Sequence, residues 1–108
     1  LIEPITPAEL KSWLEDAGRE SPVVIDVREV WEHALARVDG TRHMPMQTIP
    51  SRLGELDAER PHVLMCHHGM RSYQVAQFLE NQGFGHLYNL SGGIDAWAED
   101  VDPALARY

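Results

Sequence analysis

Val63-Leu64-Met65-Cys66-His67-His68-Gly69-Met70-Arg71-Ser72 is the stretch on which the reading turns. An apolar run stops at the only cysteine, a polar loop with a glycine follows, and a helical period begins. Strand, tight loop and helix N-terminus together let backbone N–H groups converge on an anion. A thiol at the mouth of such a loop is a candidate nucleophile, provided it becomes a thiolate, since an ordinary cysteine titrates at about 8.5. Arg71 adds a fixed positive charge, and Gly69 supplies the φ freedom that a tight loop needs. From Ser72 to Gln82, Val75, Phe78 and Leu79 recur at helical spacing, and Gly83 stands where a helix stops.

Working outward, Pro61 opens a buried strand at His62–Met65, with His62 expected as a surface residue at the strand end. Val23-Val24-Ile25-Asp26-Val27 is β-branched on both faces, as in a central parallel strand covered on each side. Leu1–Ile5 fits an edge strand and His86–Leu90 a last one. Thr6-Pro7-Ala8-Glu9 reads as a capping box opening a helix through Leu10, Trp13, Leu14 and Ala17. Arg28–Leu35 repeats a helical pattern with Val30, Trp31, Ala34 and Leu35 as its apolar members. Ile49, Leu53 and Leu56 predict a short helix entered near Pro50, and His43–Met46 is a poor strand because of Pro45. Gly92-Gly93 marks a turn before a last helical segment at Ile94–Ala98. Trp13, Trp31 and Trp97 are expected in the core. Alternating strands and helices give an α/β fold with a mostly parallel sheet, whose sites form beyond the carboxyl ends of strands.

The 108 residues fit one domain, 1–108, and a single cysteine excludes an internal disulfide, a Cys-x-x-Cys pair and a multi-cysteine zinc site. A net charge of -8 argues against nucleic acid or an anionic membrane surface as partner. No apolar run approaches the roughly 20 residues that span a bilayer. The expected location is cytoplasmic; the chain starts at Leu1, so a processed, periplasmic form is the other option. The chain has 17 acidic residues, yet none falls between Arg60 and Leu79, which predicts a carboxylate-poor field around Cys66. Asp95, Glu99, Asp100 and Asp102 read as a solvated acidic face.

Cys66-His67-His68-Gly69-Met70-Arg71-Ser72 resembles the active-site loop of the rhodanese family, in its single-domain bacterial form. Asp26-Val27-Arg28-Glu29 resembles the family's first signature and Leu90-Ser91-Gly92-Gly93-Ile94-Asp95-Ala96-Trp97 its last. Ala36–Thr41 with Pro45 is similar to its Gly-His-Ile-Pro-Gly-Ala segment, with Ala36-Arg37 in place of Gly-His and Asp39 in place of proline. The resemblance implies a five-stranded, mostly parallel sheet with helices on both faces. It also implies a thiosulfate sulfurtransferase: Cys66 takes sulfane sulfur from a small anionic donor such as thiosulfate and passes it, as a persulfide, to cyanide or a thiol. His67, His68, Gly69, Met70, Arg71 and Ser72 would form the substrate-binding loop, with Asp26 and Arg28 behind it. No metal or organic cofactor is implied; a protein acceptor is a further partner to consider.

The alternative is a non-catalytic rhodanese-like module that carries or senses persulfide for a partner protein. A cysteine phosphatase or arsenate reductase is a minor alternative, because such loops place five residues between cysteine and arginine and here four intervene. Zinc held by Cys66, His67 and His68 is geometrically poor, since adjacent side chains rarely converge on one ion. A Cys-His protease drawing on His33, His43 or His86, and a thiol peroxidase lacking a resolving cysteine, have nothing further in their favour.

Overall fold

The computed structural model describes residues 1–108. Five strands, β1 (Ile2–Ile5), β2 (Val23–Asp26), β3 (Arg42–His43), β4 (His62–Met65) and β5 (Leu87–Leu90), form one sheet in the order β1-β5-β4-β2-β3. Every pairing is parallel. The helices are α1 (Pro7–Glu15), α2 (Val30–Leu35), α3 (Met70–Asn81) and α4 (Gly93–Asp100), with two 3-10 helices at Met46–Thr48 and Pro50–Glu55. None of the helices is long and apolar enough to cross a membrane.

The period-2 geometry of a strand sends neighbouring side chains to opposite faces, and both faces here are covered. Leu64 and Cys66 enter a core with Ile25, Val75, Leu79 and Phe84 on the α3 side. Val63 and Met65 enter a second core with Val24, Leu10, Trp13, Ile94 and Trp97 on the side of α1 and α4. The expected capping box holds α1, with Glu9 N–H donating to Thr6 Oγ1 at 3.1 Å and Thr6 N–H to Glu9 Oε1 at 2.9 Å. Gly83 follows α3 with φ +96°, as its place after the helix predicts.

Several expectations need correction. Helix α3 begins at Met70, two residues before Ser72, because Gly69 in the left-handed region turns the chain directly into it. Helix α2 buries the face opposite to the expected one. Val30, Trp31, Ala34 and Leu35 face outward, Trp31 at 60% exposure, while Glu32 is buried. The cause is that Arg71 and Tyr108 hold the Glu32 carboxylate on the inner side, while the fully buried Arg28 donates to the Glu32 backbone carbonyl. Trp31 packs edge-on against Tyr108 instead of entering the core. His62 is fully buried: its Nδ1 lies 2.8 Å from the Arg60 carbonyl and its ring packs against Phe84.

Candidate active site

Strands β2 and β4 pair with Asp26 opposite Met65, so the chain leaves both strands side by side. Beyond Met65, Cys66 is buried, and with His67, His68, Met70 and Arg71 it lines an open hollow. Gly69 N–H donates to Sγ at 3.1 Å. Gly69 reaches that position at φ +109°, a conformation that disfavours a side chain.

Ser72 Oγ lies 3.3 Å from Sγ and 2.6 Å from Asn89 Oδ1, with one hydroxyl proton for the two acceptors. Asn89 Nδ2 donates to the Gly69 carbonyl at 3.0 Å, which fixes Oδ1 toward Ser72. The proton therefore resides on the shorter contact, and formation of a thiolate gives Ser72 reason to turn it toward sulfur. Ser72 and Asn89 thus set two hydrogen-bonding states of one thiol.

The outer side of the loop is held by the start of α4. Ile94 N–H donates to the Cys66 carbonyl at 2.9 Å and Asp95 N–H to that of His67 at 3.2 Å. Such close approach requires Gly93: a Cβ there would lie 2.4 Å from both carbonyl oxygens, and its φ is +62°.

Arg71 does not stand alone. Its Nη1 and Nη2 donate to Glu32 Oε1 and Oε2 at 2.6 and 2.9 Å, a bidentate pair. Hydrogen bonding to Arg71 brings the Glu32 carboxyl down to about 2, helped by Tyr108, and raises the Arg71 pKa in turn. Tyr108 Oη donates to Glu32 Oε2 at 2.7 Å and accepts from Arg28 Nη1 at 3.0 Å. Burial, together with the bond to Glu32, pushes the phenol up to about 12. Its ring stacks on His67 at 3.9 Å, and His67 stacks on His68 at the same distance. Burial, then the neighbouring His68, holds His67 below the usual imidazole range.

Asp26 and Arg28 form a fully buried ion pair at 2.7 Å, with Arg28 also donating to the Ala36 carbonyl at 2.6 Å. Neither touches the cysteine; Arg28 reaches the loop through Tyr108 and His67. Met70 is 78% exposed on the rim. The carboxylate-poor field predicted from sequence does not survive folding. Glu32 arrives from α2 against Arg71, and Asp95 lies 3.8 Å from His68. His67, His68 and Asp95 bring ligand atoms within 4.8 Å of one another. The two rings stack only 25° from parallel, however, so their lone pairs point alongside each other and not at one ion.

Glu32, Asn89 and Tyr108 are the residues that sequence reasoning missed. Asn89 carried a signal, as a polar residue inside the apolar strand Leu87–Leu90. Glu32 and Tyr108 carried none, since their partners lie 39 and 76 or more residues away.

Comparison with known proteins agrees with this geometry. The model of the rhodanese-like domain matches residues 6–100. A sulfurtransferase of Allochromatium vinosum is 38% identical over 90 residues, covering 83% of this chain and 84% of that protein. Thiosulfate sulfurtransferase GlpE of Stutzerimonas stutzeri is 32% identical over 91 residues, covering 84% and 81%. Longer relatives match too: the chain spans 26% of the probable adenylyltransferase/sulfurtransferase MoeZ of Mycobacterium tuberculosis, at 38% identity over 106 residues and 96% of this chain. The crystal structure of a rhodanese-like domain protein from Staphylococcus aureus superposes with a TM-score of 0.82 at 30% identity, over 98% of each chain. With the domain model matched over residues 6–100 and relatives 38% and 32% identical across most of their length, the chain belongs to the family of rhodanese-like domains.

Proposed function

We propose that the protein is a sulfurtransferase in which Cys66 carries sulfane sulfur from a donor such as thiosulfate to a thiophilic acceptor, a thiol or cyanide. The observation that carries this reading is the Gly69 N–H aimed at the Sγ of a cysteine that lines an open hollow. A relative named for thiosulfate sulfurtransfer supports the choice of donor.

In the first half-reaction the Cys66 thiolate attacks the outer sulfur of thiosulfate. A new S–S bond forms, the old one breaks, and sulfite leaves with the electron pair. Three negative charges enter and three remain, one on the Cys66 persulfide and two on sulfite. In the second half-reaction a thiolate or cyanide takes the outer sulfur and Cys66 regains its thiolate. One difficult transfer becomes two displacements. Gly69 N–H supplies a fixed dipole beside the charge that persists throughout, which is preorganised electrostatic support, and the Ser72 hydroxyl adds a donor that turns from Asn89 toward sulfur. Arg71 lies beside the same site and attracts the donor's anionic end, to the extent that Glu32 allows.

A second reading, a persulfide carrier for a partner protein, shares the first half-reaction. Exposed Met70 on the rim and exposed Trp31 against Tyr108 favour keeping it in view. Intact-mass measurement after incubation with thiosulfate tests what both readings share. One sulfur should be added to the wild type and none to Cys66→Ser, and cyanide should remove it. An unchanged wild-type mass defeats thiosulfate as donor. A stable adduct that cyanide and thiols leave in place transfers the case to the carrier.

A further inference from the structure

Arg71 is the only lysine or arginine lining the hollow at Cys66. Both of its terminal nitrogens are engaged by one carboxylate, that of Glu32. The Glu32 side chain is 4% exposed against 34% for Arg71, so solvent screens the carboxylate poorly. Glu32 is moreover fixed in place. Its Oε1 accepts from Glu29 N–H at 2.9 Å and its Oε2 from Tyr108 Oη at 2.7 Å. The other charged groups at the rim do not restore a positive field: Asp95 lies beside His68 and is itself paired with Arg107 at 3.0 Å. The permanent charges next to the thiol therefore cancel.

From this we infer that Glu32 is a specificity-determining residue, which neutralises Arg71 and so biases Cys66 away from dianionic thiosulfate and toward alkyl persulfides. The inference rests on the reading of Cys66 as a sulfane-sulfur acceptor. With thiosulfate, the thiolate and donor together bring three negative charges to the site. With a protonated alkyl persulfide, RSSH, the attack forms Cys66–S–SH and releases RS⁻, so one negative charge enters and one leaves. A site with a free arginine helps the first encounter far more than the second. A site whose arginine is matched by a carboxylate discriminates against the first, because Coulomb energy scales with the product of the charges.

The test compares second-order persulfidation rates with thiosulfate and with 2-hydroxyethyl persulfide, each divided by the thiolate fraction found from the pH dependence of iodoacetamide alkylation. Glu32→Gln keeps the shape of the side chain but removes its charge and turns one of its two acceptor atoms into a donor. It should raise the thiosulfate-to-persulfide rate ratio by about tenfold, and Glu32→Asp, which retains the charge, should hold the ratio within about twofold of wild type. An unchanged ratio in Glu32→Gln overturns the inference and leaves sulfur transfer standing. Persulfidation by neither donor removes both. Should Glu32→Gln not fold, the wild type decides alone. Its thiosulfate rate should rise with salt, because screening relieves the repulsion between the thiolate and the dianion, and a steep fall with salt would reveal a net positive site and overturn the inference.

Discussion

The segments that leave β4 and β2 begin side by side, yet they are held by opposite means. After β4, the cysteine loop is fastened by backbone: Gly69 N–H to sulfur, Ile94 and Asp95 N–H to loop carbonyls, Asn89 to the Gly69 carbonyl. After β2, the chain is fastened by charge: Asp26 and Arg28 are paired with no exposure, and Arg28 spends its remaining donors on the carbonyls of Ala36 and Glu32 and on Tyr108. The difference follows from what each segment must tolerate. A sulfur that changes its charge and covalent state needs fixed dipoles with no counter-charge of their own. An anchor needs charges that cancel and never change. Buried ion pairs suit the second task, because their desolvation cost is met only while both partners stay in place.

The sharpest way to break this contrast is Gly93→Ala. The new Cβ would meet the Cys66 and His67 carbonyls at 2.4 Å, and the backbone there cannot relax without moving the loop. A loss of about 4 kcal/mol is expected from overpacking and left-handed strain together. Urea unfolding measures it, and the thiol should lose its reactivity toward donor in whatever folded protein remains. A stable Gly93→Ala protein with normal persulfidation would show that α4 does not brace the loop. Next in size is Arg28→Met, which strands Asp26 in the core and should cost about 3 kcal/mol. The double variant Asp26→Asn with Arg28→Met should recover most of that loss, since neither charge is then left alone. If the double variant is no better than the single one, the hydrogen bonds of Arg28 to Ala36 and Tyr108 matter more than its charge.

The sequence disclosed these two segments unequally, for a physical reason. The cysteine loop is local: cysteine, glycine, arginine and the start of a helix lie within seven residues, and the Gly-Gly turn that braces it is a compact signal as well. The sheet was legible because continuous β-branched strands and helical periods are also short-range patterns. Helix α2 was misread because its apolar period is real but idle. What decides its facing is a carboxylate held by Arg71, 39 residues later, and by Tyr108, 76 residues later, while the buried Arg28 takes the Glu32 backbone carbonyl. His62 was misplaced for a related reason: a histidine at a strand end looks polar, but Phe84 and the Arg60 carbonyl give it an interior partner on each side. The absence of carboxylates along Arg60–Leu79 was a property of the chain and not of the space around the thiol, which Glu32 and Asp95 enter from elsewhere.

The smallest expected effect concerns the one place where the two regimes meet, the Arg71–Glu32 pair joining the cysteine loop to α2. Hydrogen bonds from Arg71, then from Tyr108, bring the Glu32 carboxyl from an ordinary 4.5 to about 2. Between those values the unfolded chain binds the proton and the folded one does not, so stability rises with pH across that interval. The contribution of the pair is therefore complete above about pH 5 and disappears as pH falls through about 2. Urea unfolding of wild type and Glu32→Gln should differ by a constant amount from pH 8 to pH 5, and the difference should shrink steadily below that. A difference that holds flat to pH 3 would mean the carboxylate's charge contributes nothing and that Glu32 acts on Arg71 through shape alone. Above about pH 5 the Glu32 carboxylate stays ionised, so in that range only substitution of Glu32 relieves Arg71 of its partner.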